Sequence, residues 1–321
     1  MDRTESDVSV TRSTSRLFMN NYILLLACFG LGMLLRRSGR LPDNAPSALN
    51  GFIVNVALPA LTLVTVHNLN WDARFLFAAA MAWILFGVGV GFFWVLSRLM
   101  KLNRGTTGAL MLTGSMANTS FIGLPMIESW YGPQWMGVGI VADQFGSYFV
   151  LSTLGVIVAG IYSTGMRWNP KAVAKKILSF APFVSLLVAL ALIPVAYPEW
   201  LDTLLKRLGT TLVPLALVSV GYQLRLSAVS GRLKVLCVGL GFKLLLGPLA
   251  ILLVYCGMLG LRGPIIQVTV FEAAMGPMIG AAIVAMDHDL DPSLTTLMVG
   301  IGIPLSFLTL PGWWWLLQRL A

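Results

Sequence analysis

Asn118-Thr119-Ser120-Phe121-Ile122-Gly123-Leu124-Pro125-Met126-Ile127 and Phe271-Glu272-Ala273-Ala274-Met275-Gly276-Pro277-Met278-Ile279-Gly280 are the stretches whose reading decides the fold. Each interrupts an apolar run with glycine and proline at a corresponding place. Proline has no N–H for the carbonyl four residues back, here Phe121 and Ala273, and so favours a break in a helix. Lipid tolerates such freed groups only where protein buries them or a wet cavity receives them. Two broken segments at matching positions in two halves of a hydrophobic chain point to a secondary transporter with its site near mid-membrane.

Composition agrees with a membrane chain. The 321 residues are 57% hydrophobic and only 11% charged, with a mean hydropathy of +0.82. A soluble domain carries roughly a quarter of its residues as charges. The net charge of +9 does not imply a nucleic-acid partner, because Lys and Arg fall in short segments between apolar runs, as membrane orientation requires. Cys28, Cys237 and Cys256 lie inside apolar runs without metal or redox spacing and are expected to be buried free thiols. No cofactor and no metal is implied. Residues 1–17 mix Arg3, Arg12 and Arg16 with Asp2, Glu5 and Asp7, which reads as a short disordered tail ahead of a retained first helix.

Ten windows approach the ~20 apolar residues that a span needs. They fall at 18–36, 45–66, 73–97, 105–131, 135–161, 177–196, 206–224, 233–258, 263–286 and 292–318. The second and seventh are the least hydrophobic, which leaves nine spans as the rival count. Thirteen basic residues follow odd-numbered spans and eight lie on the other side, with Lys243 inside a span. The richer side should be cytoplasmic, so both termini should face outward from a cell (plasma) membrane.

The halves also resemble each other. Val56-Ala57-Leu58-Pro59-Ala60-Leu61 in span 2 matches Leu212-Val213-Pro214-Leu215-Ala216-Leu217 in span 7. Pro59 and Pro214 are 155 residues apart, and Pro125 and Pro277 are 152 apart. Five spans is an odd number, so the second copy would enter the membrane inverted. The expected fold is therefore an all-α polytopic membrane protein of ten transmembrane helices, in two inverted five-helix repeats with broken crossing helices 4 and 9. The expected division is a tail at 1–17, repeats at 18–161 and 177–321, and a cytoplasmic connection at 162–176.

These residues resemble a family. Leu49-Asn50-Gly51-Phe52-Ile53-Val54-Asn55-Val56-Ala57-Leu58-Pro59 is similar to the second-helix signature of the auxin efflux carriers. Asn118-Thr119 with Gly123-Leu124-Pro125 resembles their first broken helix, and Glu272-Ala273-Ala274-Met275 with Pro277 their second. The resemblance runs from about residue 18 to 318, and the short central connection is similar to the bacterial branch, which includes malonate and malate carriers. It places the chain in the superfamily of bile-acid, arsenite and riboflavin transporters. It implies a scaffold of helices 1, 2, 6 and 7, a mobile core of helices 3–5 and 8–10, elevator-type transport and a homodimer.

The expected substrate is a small organic anion. Pro125 and Pro277 can each begin a half-helix after the break, turning two positive dipole ends toward the crossing. Packed membrane helices also kink at single prolines, but two breaks in register favour a site. The expected substrate-binding residues are Asn118, Thr119, Gly123, Pro125, Ala273, Gly276 and Pro277. Asn118 offers an amide donor and acceptor, although membrane asparagines also bond between helices; the resemblance places it at the substrate site. Glu272, Asp143 and Lys243 are the candidate coupling or ion residues. Glu272 could exchange a proton or pair permanently with Lys243. Lys243 could instead counter a substrate's charge or snorkel to the interface.

Asn50 and Asn55 are expected to bond between helices. The Asp287-His288-Asp289 loop with Asp291 reads as a solvated turn, and Trp313-Trp314-Trp315 as an interfacial belt. No His-Glu-x-x-His or Gly-x-Ser-x-Gly pattern supports an enzyme. A sodium-coupled organic-anion symporter and, further off, a channel remain alternatives.

Overall fold

The computed structural model describes residues 26–68, 72–163, 178, 180–223 and 232–320. The N-terminal tail and most of the central connection lie outside them. Regular structure among the described residues is helical, apart from a single bridge between Ala117 and Pro277. Six helices are long and apolar enough to cross a membrane. They are α2 (Ala45–His67), α3 (Phe75–Leu99), α6 (Pro133–Tyr162), α8 (Glu199–Gln223), α9 (Leu233–Met258) and α12 (Pro292–Leu320). Between them stand α1 (26–38), α4 (Arg104–Ser115), α5 (119–130), α7 (Ala181–Ala191), α10 (Pro264–Ala273) and α11 (Ile279–Asp287). Large apolar side chains such as Leu76, Leu99, Met258 and Leu308 are more than two-thirds exposed. In a soluble protein that surface would drive association, whereas here it suits lipid.

Proline placement explains the shape of these helices. Three times a π-turn precedes a proline: Ile53–Ala57 before Pro59, Thr119–Gly123 before Pro125, and Phe242–Leu246 before Pro248. The N–H groups of Leu58, Leu124 and Gly247 bond five residues back, to Ile53, Thr119 and Phe242. That step moves the ladder by one residue just ahead of the missing donor, so the helix continues. The sequence expectation that Pro125 begins a half-helix is thereby corrected. The break in span 4 lies at Met116–Asn118, and Pro125 sits more than a turn inside α5. Pro277 does not begin a helix either. It lies in the extended break, and α11 begins at Ile279 after Met278.

Packing sorts the helices. Gly32 of α1 meets Val218 and Gly221 of α8 so closely that an added Cβ would fall 2.2 Å from the Val218 carbonyl. Ser219 donates to Asn50 at 2.6 Å, joining α8 to α2, an interhelical bond worth roughly 0.6 kcal/mol. Asn55, by contrast, is exposed and bonds the Gly51 carbonyl of its own helix at 2.8 Å. On the other side, Phe92 and Phe93 of α3 stack around Phe242 of α9, and Tyr255 donates to Phe77 at 2.6 Å. The expected Trp belt is divided. Trp313 is buried and donates to the Leu244 carbonyl at 2.8 Å, Trp314 meets Trp130, and only Trp315 is well exposed, under Arg319. The thiols also differ from expectation: all three are free, but Cys237 is exposed and the other two half-buried.

At one end, Asp291 gathers Thr106 of α4 at 2.6 Å, Arg232 ahead of α9, and the Leu294 N–H of α12. Burial pushes this carboxyl up, but the Thr106, Arg232 and Leu294 bonds and the Arg232 charge outweigh burial and leave it below its ordinary value. A lowered folded value stabilises the protein above the unfolded value of about 3.9 and ceases to do so as pH falls through the folded value. Asp291→Asn should therefore lower the melting temperature at pH 7, and the deficit should shrink toward pH 3. A deficit that stays constant over that range would contradict the electrostatic role.

Candidate functional site

The two breaks lie against each other. The Asn118 N–H donates to the Gly276 carbonyl at 2.9 Å, and the Met278 N–H to the Met116 carbonyl at 3.1 Å. These bonds make the Ala117–Pro277 bridge antiparallel. Residues freed from helical bonding by each break thus satisfy one another, as buried backbone requires. Gly302 of α12 packs beneath, where an added Cβ would lie 2.7 Å from Cδ and Cγ of Pro277 and from Leu240. Gly302→Ala should push Pro277 out of place and cost about 1–3 kcal/mol, read as a lowered melting temperature. An unchanged melt would mean that α12 moves aside freely.

A cavity of about 280 Å³ opens beside the crossing. Asn118, Ser120, Phe121 and Asp143 line it on one side, and Met278, Ile279 and Gly280 on the other. It extends past Val156 and Phe180 to Asp287. None of the described residues lining it is basic. Among the seven substrate-binding residues expected from sequence, only Asn118 lines the cavity, while the others build its frame. Thr119 holds Asp143, Gly276 bonds Asn118, Pro277 makes the bridge, and Ala273 receives Lys243. Gly123 backs onto Glu272, and Pro125 lies within α5.

The half-helix ends are not equivalent. At α5 the Asn118 side chain accepts from the Phe121 N–H at 3.2 Å, which is an N-cap. Asp143 then accepts from Thr119 at 2.6 Å, from Ser120, and from Gln144 at 3.0 Å. A carboxylate already sits at this positive end, as the dipole favours. At α11 no side chain caps the helix. Among the described residues no backbone acceptor is recorded for the N–H groups of Ile279, Gly280 and Ala281, and Ile279 and Gly280 line the cavity. The anion seat expected at both ends is open at one. The Asn118 Nδ2, on a residue 1% exposed, has no partner and belongs to a side chain lining the same cavity.

Behind the crossing stand Lys243 and Glu272, both fully buried. Lys243 Nζ donates to the Ala273 carbonyl at 2.8 Å, the very group Pro277 leaves without a donor. It caps the C-terminus of α10, where a cation is favoured, and does not snorkel. Lys243 and Glu272 make no contact ion pair. The pairs within 4.0 Å among the described residues are Arg74–Asp72, Lys206–Asp202 and Arg232–Asp291. Both Glu272 carboxyl oxygens lack a hydrogen-bond partner. They rest where Gly123 and Gly139 have no side chain: a Cβ on Gly123 would lie 2.2 Å from Oε2, and one on Gly139 3.1 Å from Oε1.

The profile of the membrane transport protein family, that of the auxin efflux carriers, matches residues 18–314. The chain belongs to this family. It is similar to an uncharacterized transporter of Methanothermobacter thermautotrophicus, 27% identical over 290 residues that cover 88% of this chain and 93% of that one. A second uncharacterized transporter, from Methanocaldococcus jannaschii, is 21% identical over 308 residues, 93% of this chain and 98% of the relative. Family membership makes this a multi-pass membrane protein of a family of membrane transporters, which are not enzymes in general.

Sequence reading missed Ser120, Tyr148 and the Met278–Gly280 turn as cavity residues. Placing the half-helix start at proline hid the last of these, because the donors belong to the first residues after the extended break. His288 was expected in a solvated turn but is buried, with Nδ1 against the Val284 carbonyl at 2.8 Å. No group of three metal-ligating residues occurs among the described residues.

Proposed function

We propose that this auxin-efflux-family protein is a secondary transporter that carries a small organic carboxylate across the cell membrane by an elevator movement. The observation that carries the reading is the open first turn of α11 beside the unpartnered Asn118 amide, in one cavity at the crossing of two broken helices. Helix N-termini suit anions, and discontinuous helices meet carboxylates this way in other carriers. In this reading α4 with α5 and α10 with α11 are the broken helices 4 and 9 of a ten-span, inverted-repeat fold. The α1–α8 and α2–α8 contacts support a scaffold, and the α3–α9 aromatic cluster supports a core. The protein works as a homodimer with both termini outside. The cavity mouth at Val156, Phe180 and Asp287 then faces the cytoplasm, and Glu272 exchanges the coupling proton.

Purified protein in liposomes should show saturable carboxylate uptake driven by a pH gradient and indifferent to sodium. Loss of uptake on sodium removal would favour the sodium-coupled symporter, and uptake without saturation a channel. A cysteine at position 289 should react with an impermeant reagent only after permeabilisation. Labelling in intact cells would reverse the orientation.

A further inference from the structure

We propose that the ligand at the crossing is a zwitterion, a small apolar amino acid, with its carboxylate on the first turn of α11 and its ammonium on Asp143. The inference rests on the carboxylate reading above and adds an opposite charge to it. Asp143 is 2% exposed and lines the cavity. Its donors, Thr119, Ser120 and Gln144, are all neutral. They aim the carboxylate without cancelling its charge, and no basic group lies within 4.0 Å of it among the described residues. A buried carboxyl held only by neutral donors makes a seat for a cation, whose charge would offset the cost of keeping the carboxylate ionised there. The Ser120 oxygen, in the same wall, offers a further acceptor to an ammonium.

The two poles share one cavity. Asn118 belongs to the carboxylate seat, and Ser120, bonded to Asp143, follows it by two residues, with Cα atoms at most about 7 Å apart. An amino acid head group with a hydrogen bond at each end spans about 8 Å. Leu58, Phe121, Leu151, Phe180 and Ile283 make the remaining wall largely apolar, and Asp287 stands at the mouth. A second carboxylate on the ligand would meet Asp143 or Asp287 with no basic side chain to receive it, which disfavours dicarboxylates.

The test uses the full-length protein with leucine, 4-methylpentanoate (the same skeleton without the ammonium) and 3-methylbutylamine (without the carboxylate), read by thermal stabilisation and binding titration. Leucine should bind at least tenfold more tightly than either truncated molecule. Asp143→Asn should remove that advantage, so that leucine binds no more tightly than 4-methylpentanoate. Should Asp143→Asn fail to fold, Ser120→Ala carries the same expectation at several-fold size. Equal binding of leucine and 4-methylpentanoate to the native protein would overturn the ammonium site and leave the carboxylate reading standing. Equal binding of leucine and the amine would overturn the carboxylate reading itself. Stabilisation by sodium alone, lost in Asp143→Asn, would give the site to a metal cation and overturn the proposal. So would silence from leucine, alanine and phenylalanine alike.

Discussion

Lys243→Met is expected to lower stability by about 1.5–3 kcal/mol, the range for a buried hydrogen bond to a charged group. Its ammonium is the donor to the Ala273 carbonyl at 2.8 Å, and Pro277 ensures that the backbone supplies no replacement. The same change strips the C-terminus of α10 of its favourable cation and leaves Glu272 without the nearby positive charge it feels. Glu272→Gln alone should be mild, because the Glu272 oxygens take no hydrogen bond that glutamine would lose. The double variant separates two accounts. With Lys243 serving Ala273, adding Glu272→Gln to Lys243→Met leaves the carbonyl stranded and does not restore the melting temperature. With a permanent Lys243–Glu272 pair, removing both charges restores it. The expected result is no rescue, together with loss of pH-gradient dependence in the stable Glu272→Gln protein. Full dependence in that protein would remove the proton from Glu272.

The two breaks were legible because proline and glycine act locally. The missing N–H and the freed Ala273 carbonyl follow from the residues alone, and the structure puts Lys243 on that carbonyl. What was not legible is where each break falls. Pro125 is absorbed by the preceding π-turn, a one-residue shift in the ladder that leaves no compositional mark. Asn118 then starts α5 by side-chain capping, and in sequence it resembles any other membrane asparagine. The choice of Asp143 as the partner of α5 needed the packing of α6 against it, 24 residues along the chain from Thr119 and beyond any local rule. Likewise the exposure of Cys237 and the division of the Trp triplet depend on which helix face meets lipid, and strongly apolar helices carry little periodicity to reveal it.

Asn118→Ser is expected to weaken ligand binding about tenfold or more while leaving the melting temperature within a few degrees of the native protein. Two jobs meet in this side chain. Its Oδ1 caps the Phe121 N–H, and its Nδ2 is buried and unpartnered on a side chain that lines the cavity. Serine is about as good an N-cap as asparagine, so the substitution keeps the first job and removes the second. A hydrogen bond to a charged group contributes about 1.5–3 kcal/mol, and each 1.4 kcal/mol is tenfold in affinity. Asn118→Ala removes both jobs and should add a stability loss of about 0.5–2 kcal/mol to the same loss of binding. Binding titrations and melts on the two variants separate the roles. If Asn118→Ser binds like the native protein while Asn118→Ala is merely less stable, the residue is only a cap. The open turn of α11 would then hold the carboxylate without help from α5.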